Sequence, residues 1–276
     1  MTGSRESDSP RIPAWRPAPV AVASVALHVI AVIAFAVRPG EWPWILALLA
    51  ANHLALGALA LAARGMLLGA NITRLPAAAA ARGEVSLTFD DGPDPEITPC
   101  VLEELERHGA RASFFCIGEK AAALRDIVED IARRGHSVEN HSQRHSYAFA
   151  FYGPSRLRRE IATAQIVISQ ITGRRPQFFR APAGYRSVLL DPVLAQCGLR
   201  YVSWTRRGYD GVSSDPDRVL ARLIDGLRAG DILLLHDGAR AGDGESTLLA
   251  VLPRLLAELS ARGLKSVPLP EAFRDG

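Results

Sequence analysis

Two adjacent acids, Asp90 and Asp91, end an apolar, β-prone run (Val85–Phe89) and are followed at once by Gly92-Pro93. Successive residues on a strand face opposite sides. Where a strand gives way to a loop, both carboxylates can converge on one site. One can then hold a metal while the other stays free as a base. Downstream, His141-Ser142-Gln143-Arg144-His145 sets two imidazoles four residues apart. If this segment is a helical turn, both rings lie on one face and can chelate one ion. With Asp91 as third ligand they form a His₂-carboxylate set, which catalytic zinc sites use with a position left open for water. His136, five residues before His141, is expected to be packed or exposed rather than ligating.

Three further groups stand at the ends of apolar runs. Arg180 follows Phe178-Phe179, and a guanidinium there can hold a carboxylate through two parallel hydrogen bonds. Pro182 and Gly184 then shape a loop whose backbone N–H groups can face the same site. Trp204 and Asp210 follow the next apolar run. His236 ends the run Leu233–Leu235, and an imidazole so placed is readily tuned near neutrality as a general acid.

The intervening pattern alternates between strands and helices. Strands are predicted at 84–89, 112–117, 136–140, 177–180, 200–205, 231–236 and 265–268. Helices are predicted at 97–108, 124–134, 155–171, 189–197, 217–227 and 247–259. Seven strands in such alternation imply an α/β fold with a parallel sheet. With no dinucleotide fingerprint, a distorted (β/α) barrel is expected, and chemistry in such barrels collects at the C-terminal strand ends. The motifs fall at those ends.

Taken together the motifs TFDDGP (88–93), HSQRH (141–145), RAPAG (180–184), the Trp204 region and LLLHD (233–237) resemble those of the polysaccharide deacetylases. These are carbohydrate esterases related to the nodulation chitooligosaccharide deacetylase. The resemblance spans about Gly83 to Pro270. It implies a hydrolase that removes an acyl group from an N-acylated amino sugar, using one divalent metal ion. By position it makes Asp90 the base, Asp91, His141 and His145 the metal ligands, and His236 the acid. Arg180 would orient Asp90, and the Ala183 N–H would stabilise an oxyanion. Leu234 and Trp204 would line the acyl pocket, with Asp210 also on the substrate side. The donor set suits zinc first, and cobalt, nickel or manganese as well. Two departures stand out. Ala183 replaces a Tyr common in relatives. The relatives' Asp-x-x-Asp-Trp becomes Arg207-Gly208-Tyr209-Asp210-Gly211, which leaves the partner of His236 unassigned and argues against assuming chitin or peptidoglycan as substrate.

Residues 17–37 and 42–63 carry no charged side chain. Each is roughly 20 residues, enough to cross a bilayer as a helix. A short Arg38–Glu41 turn joins them, and Trp42 and Trp44 suit an interface. The expected organisation is a tail (1–16), a membrane hairpin (17–69), a linker (70–82) and a catalytic domain (83–276). Residues 1–82 hold seven Arg against three acids, whereas the rest is almost neutral. The basic balance therefore belongs to the membrane segment and not to a nucleic-acid surface. Arg5, Arg11 and Arg16 precede the first span, and Arg64, Arg74 and Arg82 follow the second. The positive-inside rule then places the catalytic domain on the cytoplasmic side of an inner membrane, with a lipid-linked amino sugar as the expected substrate. The competing expectations are a periplasmic peptidoglycan or exopolysaccharide deacetylase and an inactive glycan-binding scaffold. Cys100, Cys116 and Cys197 form no CxxC and no disulfide framework.

Overall fold

The computed structural model describes residues 15–239 and 246–274. Most of the expected tail at 1–16, with Arg5 and Arg11, lies outside the described residues. Two apolar helices come first, α1 (Pro19–Val37) and α2 (Trp42–Ala60). A one-turn helix, Pro39–Glu41, joins them. Both helices are long and apolar enough to cross a membrane, and few of their residues are buried. They touch through polar groups: Asn52 Nδ2 donates to Ser24 Oγ at 2.9 Å, and the His28 and His53 rings meet edge-on.

After the short helix α3 (Ala77–Ala81), eight strands follow: β1 (Glu84–Asp90), β2 (Ser113–Cys116), β3 (Ser137–Asn140), β4 (Phe178–Phe179), β5 (Arg200–Tyr201), β6 (Arg206–Arg207), β7 (Ile232–His236) and β8 (Lys265–Ser266). Seven form one curled parallel sheet in the order β5-β4-β3-β2-β1-β7-β6, and β8 pairs with the start of β1. The connecting helices are α4 (Ile97–Arg107), α5 (Gly118–Ala123), α6 (Arg125–Arg133), α7 (Pro154–Thr172), α8 (Leu190–Cys197), α9 (Pro216–Ile224), α10 (Thr247–Ala261) and α11 (Leu269–Ala272). This is the distorted (β/α) barrel.

Alternation along β1 explains both its core and its chemistry. Val85, Leu87 and Phe89 pack outward against Val101, Leu105, Leu252 and Leu255 of the surrounding helices. Ser86, Thr88 and Asp90 consequently face the barrel interior. All six are buried, as expected for a parallel strand covered on both faces. Asp90, Arg180 and His236 thereby reach the same end of the sheet.

The single strand expected at 200–205 is divided. β5 pairs with β4, and β6 pairs with β7 at the opposite edge. The chain between them spans the open side of the sheet. It is joined there by residues 71–75, part of the stretch expected to be a linker. Ile72 N donates to Tyr201 O at 3.1 Å, and Ser203 N donates to Ile72 O at 2.9 Å. Leu75 N donates to Gly230 O at 2.8 Å, and Arg74 pairs with buried Asp231. Leu75 is buried among Phe115, Phe178, Val202 and Ile232. Propensity could not show this, because the hydrogen-bonding partners Tyr201, Ser203 and Gly230 lie more than a hundred residues away.

Leu75→Ala should therefore lower stability by about 2–4 kcal/mol, the cost of a core truncation. Denaturant unfolding of the full chain measures it. A change under about 0.5 kcal/mol, as for a surface linker, would contradict this packing.

Candidate active site

The end of β1 delivers two carboxylates with different surroundings. Asp90 is the last strand residue and is buried. Asp91 follows with φ 72°, and this left-handed turn swings its side chain back toward the same cavity. Gly238 packs so closely on the Asp91 carbonyl that a Cβ there would overlap it, which requires glycine. Lys120 Nζ donates to that carbonyl at 2.7 Å.

Asp91 Oδ1 lies 3.2 Å from His141 Nε2 and 3.0 Å from His145 Nε2. The three ligand atoms fall within 4.8 Å of one another. The histidine pair does not sit on a helical turn, the condition under which spacing alone would place both rings on one face. Residues 141–145 form a loop in which Ser142 (φ 67°) and His145 (φ 50°) are left-handed. Asn140 Oδ1 accepts from Ser142 N, and Ser142 Oγ accepts from His145 N. These side-chain turns bring the rings together where an α-turn would have done so by periodicity.

The donor chemistry suits a metal. His141 Nδ1 is 2.8 Å from the Arg180 carbonyl, which accepts only if Nδ1 carries the proton. Nε2 then presents its lone pair toward Asp91. Asp91 Oδ1 is buried with no hydrogen-bond donor among the described residues. Burial raises the Asp91 carboxyl, but when the two imidazoles are protonated and donate to it they hold it well below the usual carboxylate range, and a cation in place of those protons would act in the same direction. A buried oxygen facing two ring nitrogens is a ligand set ready for a cation.

Arg180 is fully buried and serves several partners. Its Nη1 donates to Asp90 Oδ1 at 2.6 Å and to Thr88 Oγ1 at 2.9 Å. Its Nη2 donates to Ser203 O at 2.7 Å, and the guanidinium lies over the Phe115 ring. The expected two-bond fork on one carboxylate is thus replaced by a single contact. The remaining donors tie the sheet's closing segment to Asp90.

His236 Nδ1 is 2.9 Å from Asp210 Oδ1, and the His236 backbone N–H donates to Asp210 Oδ2 at 2.7 Å. Asp210 lies behind His236 and does not line the cavity, so the expectation of a substrate contact is corrected. It is the partner that the altered fourth motif had left unassigned. Burial works against a charged imidazole, but Asp210 outweighs it and pushes His236 up to about 9.

These groups enclose a cavity of about 260 Å³. Asp90, Asp91, His141, His145, Ala183, Trp204, Leu234 and His236 line it. Arg180 and Asp210 stand behind it. Ala183 (φ 54°) occupies the second position of a one-turn helix, Pro182–Gly184, where an N–H has no partner within the turn. Tyr147, Arg207, Tyr209 and Val212 also line the cavity and went unassigned in the sequence. They sit in loops whose fold depends on distant partners. Asp237, next to His236, is fully buried, accepts from Thr98 Oγ1 at 2.6 Å and is raised by burial to about 7.

A parallel barrel with a carboxylate, an imidazole and a metal-type triad at its strand ends defines a hydrolase site. The polysaccharide deacetylase family model matches residues 78–202. The chain is 31% identical over 192 residues to a peptidoglycan-N-acetylglucosamine deacetylase of Bacillus cereus, covering 69% of this chain and 88% of that one. It is 34% identical over 198 residues to a chitooligosaccharide deacetylase of Azorhizobium caulinodans, covering 68% and 94%. Among solved structures, a peptidoglycan N-acetylglucosamine deacetylase superposes with TM-score 0.67 at 28% identity, covering 74% and 92%. A family 4 acetyl xylan esterase from Clostridium thermocellum, in complex with a cobalt ion, superposes with TM-score 0.63 at 31% identity, covering 69% and 90%.

The chain belongs to the polysaccharide deacetylase family and is a hydrolase of carbon–nitrogen bonds other than peptide bonds. Deacetylases of this family are metal-dependent, and Asp91, His141 and His145 form a possible metal site.

The Asp210–His236 pair sets a pH prediction. The folded His236 value of about 9 exceeds the unfolded value of about 6.5. The pair's stabilisation is therefore complete below about pH 6.5 and is lost as pH rises through 9. In Asp210→Asn the alkaline limb of kcat/KM should move down by about two pH units, and the His236 titration followed by NMR should move with it. An unmoved limb and titration would contradict the assignment of Asp210.

Proposed function

We propose that this protein deacylates an N-acetyl-type amino sugar carried on a membrane lipid. The observation that carries the reaction is that Asp90 and His236 line one cavity beside the Asp91-His141-His145 group, each held by its own buried partner. Asp90 is the base, oriented by Arg180. Asp91, His141 and His145 would hold one divalent ion, zinc first among those such donors accept. When bound there, the ion lowers the pKa of water and polarises the carbonyl.

Asp90 takes the proton of the attacking water. The Ala183 N–H stabilises the oxyanion that develops on the acyl carbonyl. The C–N bond then breaks, and His236 gives its proton to the departing nitrogen. The products are a carboxylate and a free amine. Trp204 and Leu234 bound the acyl end of the cavity, a size suited to a short acyl group.

Membrane attachment rests on α1 and α2, the two candidate spans. Arg64, Arg74 and Arg82 follow them, which favours a cytoplasmic catalytic domain and a lipid-borne substrate. A second reading is a periplasmic cell-wall deacetylase. It is favoured by a relative that is 31% identical over 192 residues and is named for peptidoglycan. Alkaline phosphatase fused at the C-terminus separates the two. The first reading expects no phosphatase activity and an active cytoplasmic reporter in its place.

Two outcomes test the chemistry. Stripping divalent ions with a chelator should abolish acetate release from an N-acetylglucosaminyl substrate, and added zinc should restore it. His236→Ala should lower kcat by about 10²–10⁴ with KM little changed. Undiminished release in either case would contradict the proposed roles.

A further inference from the structure

A second cavity, about 840 Å³, abuts the catalytic one. Ala183, Trp204, Arg207 and Tyr209 line both. The far wall of the second cavity is residues 61–65, which directly follow α2. A groove thus leads from the end of the second apolar helix into the catalytic cavity.

The far wall is fixed to the barrel. Buried Arg186 donates to the carbonyls of Gly65, Gly69 and Ala70 at 2.8–3.0 Å, and its own N–H donates to Ala60 O at 3.2 Å. Asn71 Nδ2 donates to the Gly65 carbonyl at 3.1 Å. Gly184 (φ 77°) leaves no room for a side chain, since a Cβ there would come within 2.7 Å of Ala63 and 2.8 Å of Trp204. The helix end, the Ala183 loop and Trp204 therefore pack as one wall.

The groove carries an excess of cations. Arg206 is consumed by Asp231 and by the carbonyls of Asp225 and Gly226. Arg64, Arg207 and Arg222 form no ion pair with a carboxylate among the described residues. Arg207 is half-buried, and its Nε is buried without a hydrogen-bond partner among the described residues. Its guanidinium lies 5.3 Å from the Trp204 ring and 4.8 Å from the Tyr209 ring. Arg222 lies over Tyr209 from a position 5.3 Å away and makes one long contact, at 3.4 Å, with the Gly208 carbonyl. Among the described residues Asp225 is the one acid lining the groove.

Three arginines that line one groove with a single described acid repel each other, and a buried donor with no partner is costly. Both penalties are relieved by an anion with several acceptor oxygens. Arginine's planar fork matches phosphate in particular. The location adds a constraint, because an anion in the groove lies between the end of α2 and the reacting carbon.

We infer that Arg64, Arg207 and Arg222 bind the phosphate of a lipid-borne sugar phosphate, with the sugar over Trp204 and Ala183 and its acylated nitrogen in the catalytic cavity. This rests on the proposed deacylation and adds the substrate's second functional group. The anion belongs to the substrate, although bilayer headgroups present the same chemistry, so a test must separate the two.

The test measures binding to the full-length Asp90→Asn protein in phosphatidylcholine nanodiscs. One probe is N-acetylglucosamine joined through a phosphate to a short isoprenoid alcohol. The other joins the same sugar and alcohol without the phosphate. The phosphorylated probe should bind about tenfold tighter or more, and inorganic phosphate should compete with it alone. Arg64→Gln and Arg222→Gln alter exposed side chains outside the catalytic cavity and should erase most of that difference. Arg222→Lys should restore part of it. Equal binding of the two probes, or variants that weaken both alike, would overturn the inference. So would arginine-dependent recruitment to vesicles enriched in phosphatidylglycerol without discrimination between probes. Turnover by the Asp90-containing protein is read separately. Arginine-dependent binding with no turnover would sink only the deacylation reading. Turnover of both probes with no arginine dependence would sink only the phosphate site.

Discussion

The buried guanidinium of Arg180 is the contact on which the rest of the site depends. It has no exposure to solvent and spends its donors on four neighbours: the Asp90 carboxylate, the Thr88 hydroxyl and, through Nη2 and a longer Nε contact, the carbonyls of Ser203 and Val202. A buried charge is tolerated only when paired and hydrogen-bonded, so each partner must be in place for the fold to form. These partners come from β1 and from the chain that closes the barrel between β5 and β6. The Arg180 carbonyl meanwhile accepts from His141 Nδ1. One residue therefore orients the carboxylate proposed as base and the ring proposed as metal ligand. Arg180→Ala would leave Asp90 buried without its cation, a loss that commonly costs about 3–5 kcal/mol.

Around that centre the two carboxylates of the β1 terminus separate by backbone geometry. Asp90 remains in strand conformation and points inward with Thr88. Asp91 takes a left-handed turn and meets two imidazoles. Adjacent acids thereby acquire different partners without any intervening element. His236 arrives from β7, which pairs with β1 so that His236 lies opposite Asp90. Parallel register alone thus sets the proposed base and the proposed acid side by side at one cavity.

Much of this was legible in the sequence, for a physical reason. Parallel strands buried on both faces read as apolar runs, and their ends are marked by the polar residues that function needs. Asp90, Asp91, Arg180 and His236 were found in that way. What escaped depends on contacts that no local period encodes. Ser142 and His145 bring the histidines together through left-handed turns and not through a helical period. Asp210 reaches His236 from a loop 26 residues earlier and was read as a substrate contact. Residues 71–75 were read as a linker, yet their hydrogen bonds close the barrel. The charged groove beside the cavity was equally hidden, since Arg64, Arg207 and Arg222 lie on three separate elements.

The central claim is that the adjacent carboxylates divide their work, Asp90 as base and Asp91 as ligand. The most direct measurement is bound divalent metal per chain, taken alongside turnover, in Asp90→Asn and Asp91→Asn. The account predicts that Asp90→Asn keeps its ion while turnover falls by about 10² or more, and that Asp91→Asn loses the ion. An Asp90→Asn protein that loses its ion, or an Asp91→Asn protein that keeps it at undiminished affinity, would contradict the account.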